Sequence, residues 1–223
     1  MIETTTKEEF RIMKNFSHSD LSDFKSFTQN GYHPYKDFSR ELCLGDLVSK
    51  VIFNTENFTS TDKQSLDARE KFLLDTFFDK ICKDFICLFS WSCLPHVYTW
   101  RDRDTKVLCK SLIDIRWVNN TIVIFKTTSA KNLPDFLKAA DNNDYDRQAA
   151  FEKDGFDINH KANCSVLFII LSKVYPFKLM TYQATPEVIK RGREKYKALL
   201  MDINNQAYIP SHWPNDFNKD YPF

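Results

Sequence analysis

The longest regular run of apolar positions lies between Asp62 and about Phe89. There Leu66, Phe72, Leu73, Phe77, Ile81, Phe85 and Leu88 recur at three- and four-residue steps, which draws one apolar stripe along a helix. The period then changes. His96–Trp100 reads as a strand, Arg101–Lys106 as a charged turn, and Val107 to Trp117 as a second strand. Asn119 and Asn120 tolerate the left-handed conformations of a hairpin turn, and the β-branched, apolar run Thr121 to Thr127 suits a buried strand. Pro134 opens a short helix to about Ala140, and Asp144 to about Lys153 reads as another. Ser165 to Leu171 is the most apolar strand and is expected near the centre of a sheet, with Phe177 to Gln183 as its neighbour. Thr185 as cap, Pro186 at the first position and Glu187 near the positive end of the dipole start a helix that runs to about Met201.

The flanks are less regular. Ser17–Asp20 can cap a short helix beginning at Leu21, Gly31–Tyr35 reads as a turn, and Leu42 to Phe53 has helical spacing that Gly45 weakens. The tail from Tyr208 to Phe223 is Pro-rich with little periodicity. This order predicts one α/β (α+β) domain over 1–223, a mixed sheet flanked by helices, with a helical part at about 1–92, a core at about 96–201 and the tail at 208–223.

Composition narrows the function classes. Hydrophobic residues make up 43% of 223, including 20 Phe, so a substantial core is available. Only 4 Gly argues against Gly-loop nucleotide binding. With 31 basic and 30 acidic side chains the net charge is +1, so a nucleic-acid partner needs a local basic surface. Cysteines at 43, 82, 87, 93, 109 and 164 form no C-x-x-C pair, which argues against a zinc ribbon and for reduced, buried thiols. The N-terminus is polar and acidic, unlike a signal peptide, and no apolar run reaches bilayer length; a cytoplasmic protein with no membrane association is expected.

The chemistry-bearing stretch is Lys110-Ser-Leu-Ile-Asp114, then Ile124-Phe-Lys126-Thr-Thr128, then Tyr145-Asp-Arg-Gln148. An aspartate, a hairpin and a lysine ending the next strand resemble the PD-(D/E)XK nucleases, in particular the RecB/RecE-like exodeoxyribonuclease branch with its restriction-endonuclease-like core. The resemblance runs from about Asp20 to Met201. It also includes Ser17-x-Ser-Asp-Leu21, Leu44-Gly45, Thr105–Lys110, Tyr145–Phe151 and the Tyr175-Pro176-Phe turn. It implies a bacterial or phage hydrolase that cleaves DNA phosphodiesters with one or two Mg²⁺ or Mn²⁺ ions, hard cations that want oxygen ligands. By the resemblance, Asp114 matches the first metal ligand, Lys126 the catalytic lysine and Gln148 the glutamine of a Gln-x-x-x-Tyr helix. Three positions depart from the family pattern: the second carboxylate is Ile124, the tyrosine is Glu152, and the early histidine falls at Ser49. Isoleucine binds no cation, so ordinary metal-dependent cleavage is expected to be lost or weakened. An iron–sulfur cluster is not expected, because no cysteine follows Cys164.

Geometry adds a condition. A strict two-residue turn at Asn119-Asn120 would set Asp114 opposite Phe125 and away from Lys126, whereas a three-residue loop or bulge pairs it with Ile124. The loop or bulge is the expectation. Glu152 lies one helical turn from Gln148 and can replace the missing carboxylate, but a solvated Glu beside Lys153 is the favoured reading. Arg147 and Lys131, with Lys138 and the run Lys190–Lys197, can meet phosphates; a solvated helix face is favoured for that run, because Glu187 and Glu194 interrupt it. Three functions follow: a weakened or inactive nuclease homologue that still binds DNA ends or single strands, a non-catalytic scaffold with a protein partner or a homo-oligomer, and an active enzyme using Glu152.

Overall fold

The computed structural model describes residues 7–31, 67–68, 71–72, 75–76, 96–113, 115–117 and 120–213. Its elements run α1 (Lys7–Ile12), α2 (His18–Asn30), β1 (His96–Arg101), β2 (Leu108–Ile113), β3 (Ile115–Trp117), β4 (Thr121–Thr128), α3 (Leu133–Asn142), α4 (Tyr145–His160), β5 (Ser165–Ser172), β6 (Leu179–Gln183) and α5 (Pro186–Gln206). Of the stretch Asp62 to Phe89, residues 68, 71, 72, 75 and 76 are helical, and the rest lies outside the described residues, as do Leu42–Phe53 and the tail beyond Trp213.

A four-stranded mixed sheet in the order β3-β4-β5-β6 carries the architecture, with β4 and β5 parallel and the outer pairs antiparallel. β5 sits inside the sheet, as its unbroken Val-Leu-Phe-Ile-Ile-Leu run predicts. The stretch expected as one strand from Val107 to Trp117 divides. β2 pairs with β1 in a separate antiparallel ribbon and takes an isolated parallel bridge from Phe16 to Cys109, while β3 pairs with β4. Apolar alternation marks both halves alike, so nothing in the pattern signals the change of partner.

Helix α4 packs on α2, α3 and α5 and on strands β1, β2 and β5. It is longer than the pattern predicts, continuing past Lys153 to His160. Within the extension, a β-carbon at Gly155 would lie 2.5 Å from the Trp100 ring, so the glycine allows close packing of the helix on β1. Gly192 does the same on α5, where a β-carbon would fall 1.9 Å from the Asp146 carbonyl oxygen. The aromatic core follows these contacts: Trp100 packs on Phe151, and Phe151 meets Tyr196 edge to face.

α2 begins at His18, three residues before the expected start, because Ser17 and Asp20 form a reciprocal capping box. Gly31 closes it at φ 71°. The segment after α5 returns to α2, with Tyr208 against Phe24 and Trp213 against Phe16. Cys109 and Cys164 are buried and reduced, with burial pushing the Cys164 thiol up to about 12. Among the described residues no helix is long and apolar enough to cross a membrane.

Candidate functional site

The register Ile115↔Val123, Arg116↔Ile122, Trp117↔Thr121 leaves three positions, 118–120, between the last paired residues. This is the three-residue connection that the sequence requires for a site, and Asn120 takes a left-handed φ of 55° within it. Asp114 and Ser49 themselves lie outside the described residues.

Side chains at 122, 124 and 126 share one face of β4. Ile122 and Ile124 belong to the core, Ile124 at 4% exposure beside Phe168 of β5. Lys126 is partly buried where that face reaches the start of α4, its Nζ 4.4 Å from the centre of the Tyr145 ring. One turn along α4, Gln148 Nε2 donates to Glu152 Oε1 at 2.7 Å. Glu152 is buried at 8% exposure, against the expectation that it is solvated. A helix packed on nearly every side offers it no open face, and the Gln148 amide supplies one hydrogen bond to its carboxylate. Tyr145, Gln148 and Glu152, spaced by three and four residues, line one face of α4.

Arg147 points to another side. Its Nη2 donates to Ser22 Oγ of α2 at 2.7 Å and lies 3.8 Å from Asp144 Oδ2. Ser22 Oγ in turn donates to the His18 carbonyl at 3.2 Å. Burial, reinforced by the charges of Arg147 and Lys126, holds His18 well below the usual imidazole range against the pull of Asp144, so its ring is neutral at pH 7. Burial likewise lowers Arg147, opposed by Asp144 and Asp146. The structure therefore gathers His18, Ser22, Lys126, Tyr145 and Arg147 where α2, β4 and α4 meet. Sequence reasoning reached Lys126, Gln148 and Arg147 but assigned no role to His18, the unspecified position of the Ser17-x-Ser-Asp motif, or to Ser22, which lies beyond it.

The basic run of α5 lies on a partly solvated face, with Lys190, Arg191 and Glu194 exposed, but most of its cations are paired and do not form an open phosphate surface. Arg191 pairs with Asp146 and Asp141, Arg193 with Asp154 through two 2.6 Å bonds, Lys195 with Asp144 and Asp146, and Lys197 with Asp102 and Asp104. Lys131 and Lys138 are exposed near the start and along the length of α3. Among the described residues no three His, Cys, Asp or Glu side chains come close enough to hold a metal ion. The side chains described at the end of β4 do not fit Mg²⁺ or Mn²⁺: Glu152 Oε1 accepts from Gln148, and Lys126 brings a positive charge.

A crystal structure from Eubacterium rectale, titled "Putative exonuclease", superposes on this chain with a TM-score of 0.67. It covers 100% of this chain and 95% of its own, at 14% sequence identity. What the two share is the fold. That fold is a mixed sheet flanked by helices, and at this identity the likeness says nothing about individual site residues. No protein-family model matches the sequence, and no curated protein does.

Proposed function

We propose that the chain is a PD-(D/E)XK exodeoxyribonuclease-like protein of DNA processing, of the RecB/RecE-like kind, whose metal-dependent cleavage is lost or weakened. The observation that carries this reading is the face of β4. It holds Lys126 against the opening of α4, with Gln148 one turn further along, but places a buried isoleucine at 124 where the fold needs a carboxylate. The three-residue connection after Trp117 supports it, because that register has the parity needed to set position 114 opposite Ile124. On this reading Asp114 and Lys126 are former metal-ligand and catalytic positions, and Ser49 and Ile124 are altered ones.

Calorimetric titration of Mn²⁺ into the protein and into Ile124→Asp tests it, with circular dichroism confirming that the variant folds. We expect weak or no binding by the parent and clear binding by the variant. No gain in a folded variant would sink the vestigial-site reading. Cleavage of linear DNA by the parent, abolished in Glu152→Ala, would show a relocated carboxylate, which the burial of Glu152 makes a fair target.

One observation favours a second reading, a non-catalytic scaffold. The α5 cations are tied to aspartates of the same chain, which reduces the basic surface offered to DNA. DNA binding that weakens steeply with salt would exclude it. No binding, together with a stable oligomer or protein complex, would establish it.

A further inference from the structure

Arg147 is 2% exposed, and its guanidinium is only partly matched. Nη2 is satisfied by Ser22 Oγ, whereas Nε and Nη1 are enclosed with no hydrogen-bond partner among the described residues. His18 Nδ1, one turn of α2 before Ser22, is in the same condition. Buried polar atoms are ordinarily paired, so three unmatched nitrogens in one corner call for an explanation. The local acids do not supply the missing acceptors. Asp144 gives Oδ2 to Lys25 at 2.5 Å and Oδ1 to Lys195 at 3.1 Å. Asp146 is taken by Arg191, Lys195 and the backbone N–H of Arg147. Lys126 adds a further positive charge felt by His18.

We propose that the junction of α2 and α4, formed by His18, Ser22 and Arg147 beside Lys126, binds a phosphate-type oxyanion. The unmatched groups are nitrogens and not oxygen ligands for a metal cation, and the nearby carboxylates of Asp144 and Asp146 are engaged by Lys25, Lys195 and Arg191, whereas a tetrahedral oxyanion offers several acceptors to a guanidinium, a hydroxyl and an imidazole N–H. Ser22 and His18 are partly exposed and form the entrance. The ligand reaches the enclosed guanidinium by turning the Ser22 hydroxyl and replacing it as the acceptor of Nη2. Phosphates of DNA and free phosphate share this chemistry; the site rests on the nuclease-like reading only for the choice between them.

The test uses the full chain, Arg147→Gln and Ser22→Ala, each melted and titrated with inorganic phosphate, a phosphorylated oligonucleotide and its unphosphorylated twin. Phosphate should raise the melting temperature of the parent. Loss of one charge-assisted contact in Arg147→Gln should weaken phosphate binding by about tenfold or more. Ser22→Ala, which keeps the charge, should weaken it by about threefold. In phosphate-free buffer Arg147→Gln should melt no lower than the parent, because a neutral amide replaces a half-matched buried charge. A purely structural arginine predicts the reverse. The inference is overturned if phosphate leaves the parent's melting unchanged, or if Arg147→Gln melts far lower while binding phosphate as before. Preference for the phosphorylated oligonucleotide supports a DNA source. Phosphate binding with no response to either oligonucleotide keeps the site and removes the DNA reading. Oligonucleotide binding indifferent to phosphate and to Arg147→Gln removes the site and leaves the DNA reading standing.

Discussion

Two buried cations in this protein are treated in opposite ways. Lys110 on β2 is 1% exposed, and its ammonium donates to the carbonyls of Phe10 and Met13 at 2.7 Å and of Arg11 at 3.2 Å. All three donors of an ammonium are therefore used, at the C-terminal end of α1 where carbonyls are left without helical partners. Arg147, at 2% exposure, has two of its three nitrogens unmatched. The first arrangement fastens α1 to the strand ribbon. The second keeps hydrogen-bonding capacity in reserve at a junction of three elements. Burial alone does not distinguish structural from ligand-binding charge; the state of the donors does.

The largest expected effect removes the frame around Arg147 without touching it. Gly192→Ala would drive a methyl group into the Asp146 backbone at the first turn of α4. Neither helix backbone can give way locally, so α5 must move off α4 and strain the bonds of Arg191 and Lys195 to Asp146. Overpacking of this kind should cost about 3 kcal/mol in urea unfolding. Stability within about 0.5 kcal/mol of the parent would mean that the two helices do not meet so closely.

Next comes the direct contrast. Lys110→Met leaves three carbonyls without a donor and should cost about 2 to 3 kcal/mol. The corresponding change at Arg147 should cost nothing or raise stability. Equal losses at both positions would break the comparison.

The same lysine gives a pH test. Burial pushes Lys110 down to about 8, with Asp20 pulling upward. Below that pH the folded state carries the cost of a buried charge in full. Between about 8 and the ordinary lysine value near 10.4 the unfolded chain holds a proton that the folded chain has released, so this group's contribution to stability rises with pH. The stability difference between the parent and Lys110→Met, followed by urea unfolding from pH 7 to 10.5, should grow in the parent's favour across that window. A flat difference would show that the carbonyls keep the ammonium charged throughout.

These outcomes bear on what the sequence could disclose. Strands β1, β4 and β5 and the start of α5 were legible because period, β-branching and caps agree there. The extension of α4 was not, since the packing of Gly155 against Trp100 is a contact between residues far apart in the chain. The partner switch between β2 and β3 depends on long-range pairing that local pattern does not encode. In the candidate site, motif order is what singled out Lys126 and Gln148. The grouping of Ser22 with Arg147 across 125 positions was not legible, because nothing near an arginine in sequence says that it will be buried. Glu152 was misjudged for the same reason: its burial is decided by neighbours of α4 far along the chain.

The smallest expected effect separates the rim of the junction from its interior. Lys25 bridges α2 to Asp144 at 2.5 Å with a side chain 37% exposed, and Asp144 keeps Lys195 when it is removed. Solvent screens such a pair, so Lys25→Ala should cost about 0.5 kcal/mol or less. The cost should shrink further in high salt, because the pair lies within reach of counterions. Arg147, enclosed and shielded from those ions, should show no matching salt dependence in its own variant. If Lys25→Ala instead destabilised the chain as strongly as Lys110→Met, the rim would be holding α2 in place, and the unmatched donors of Arg147 would belong to a structural joint.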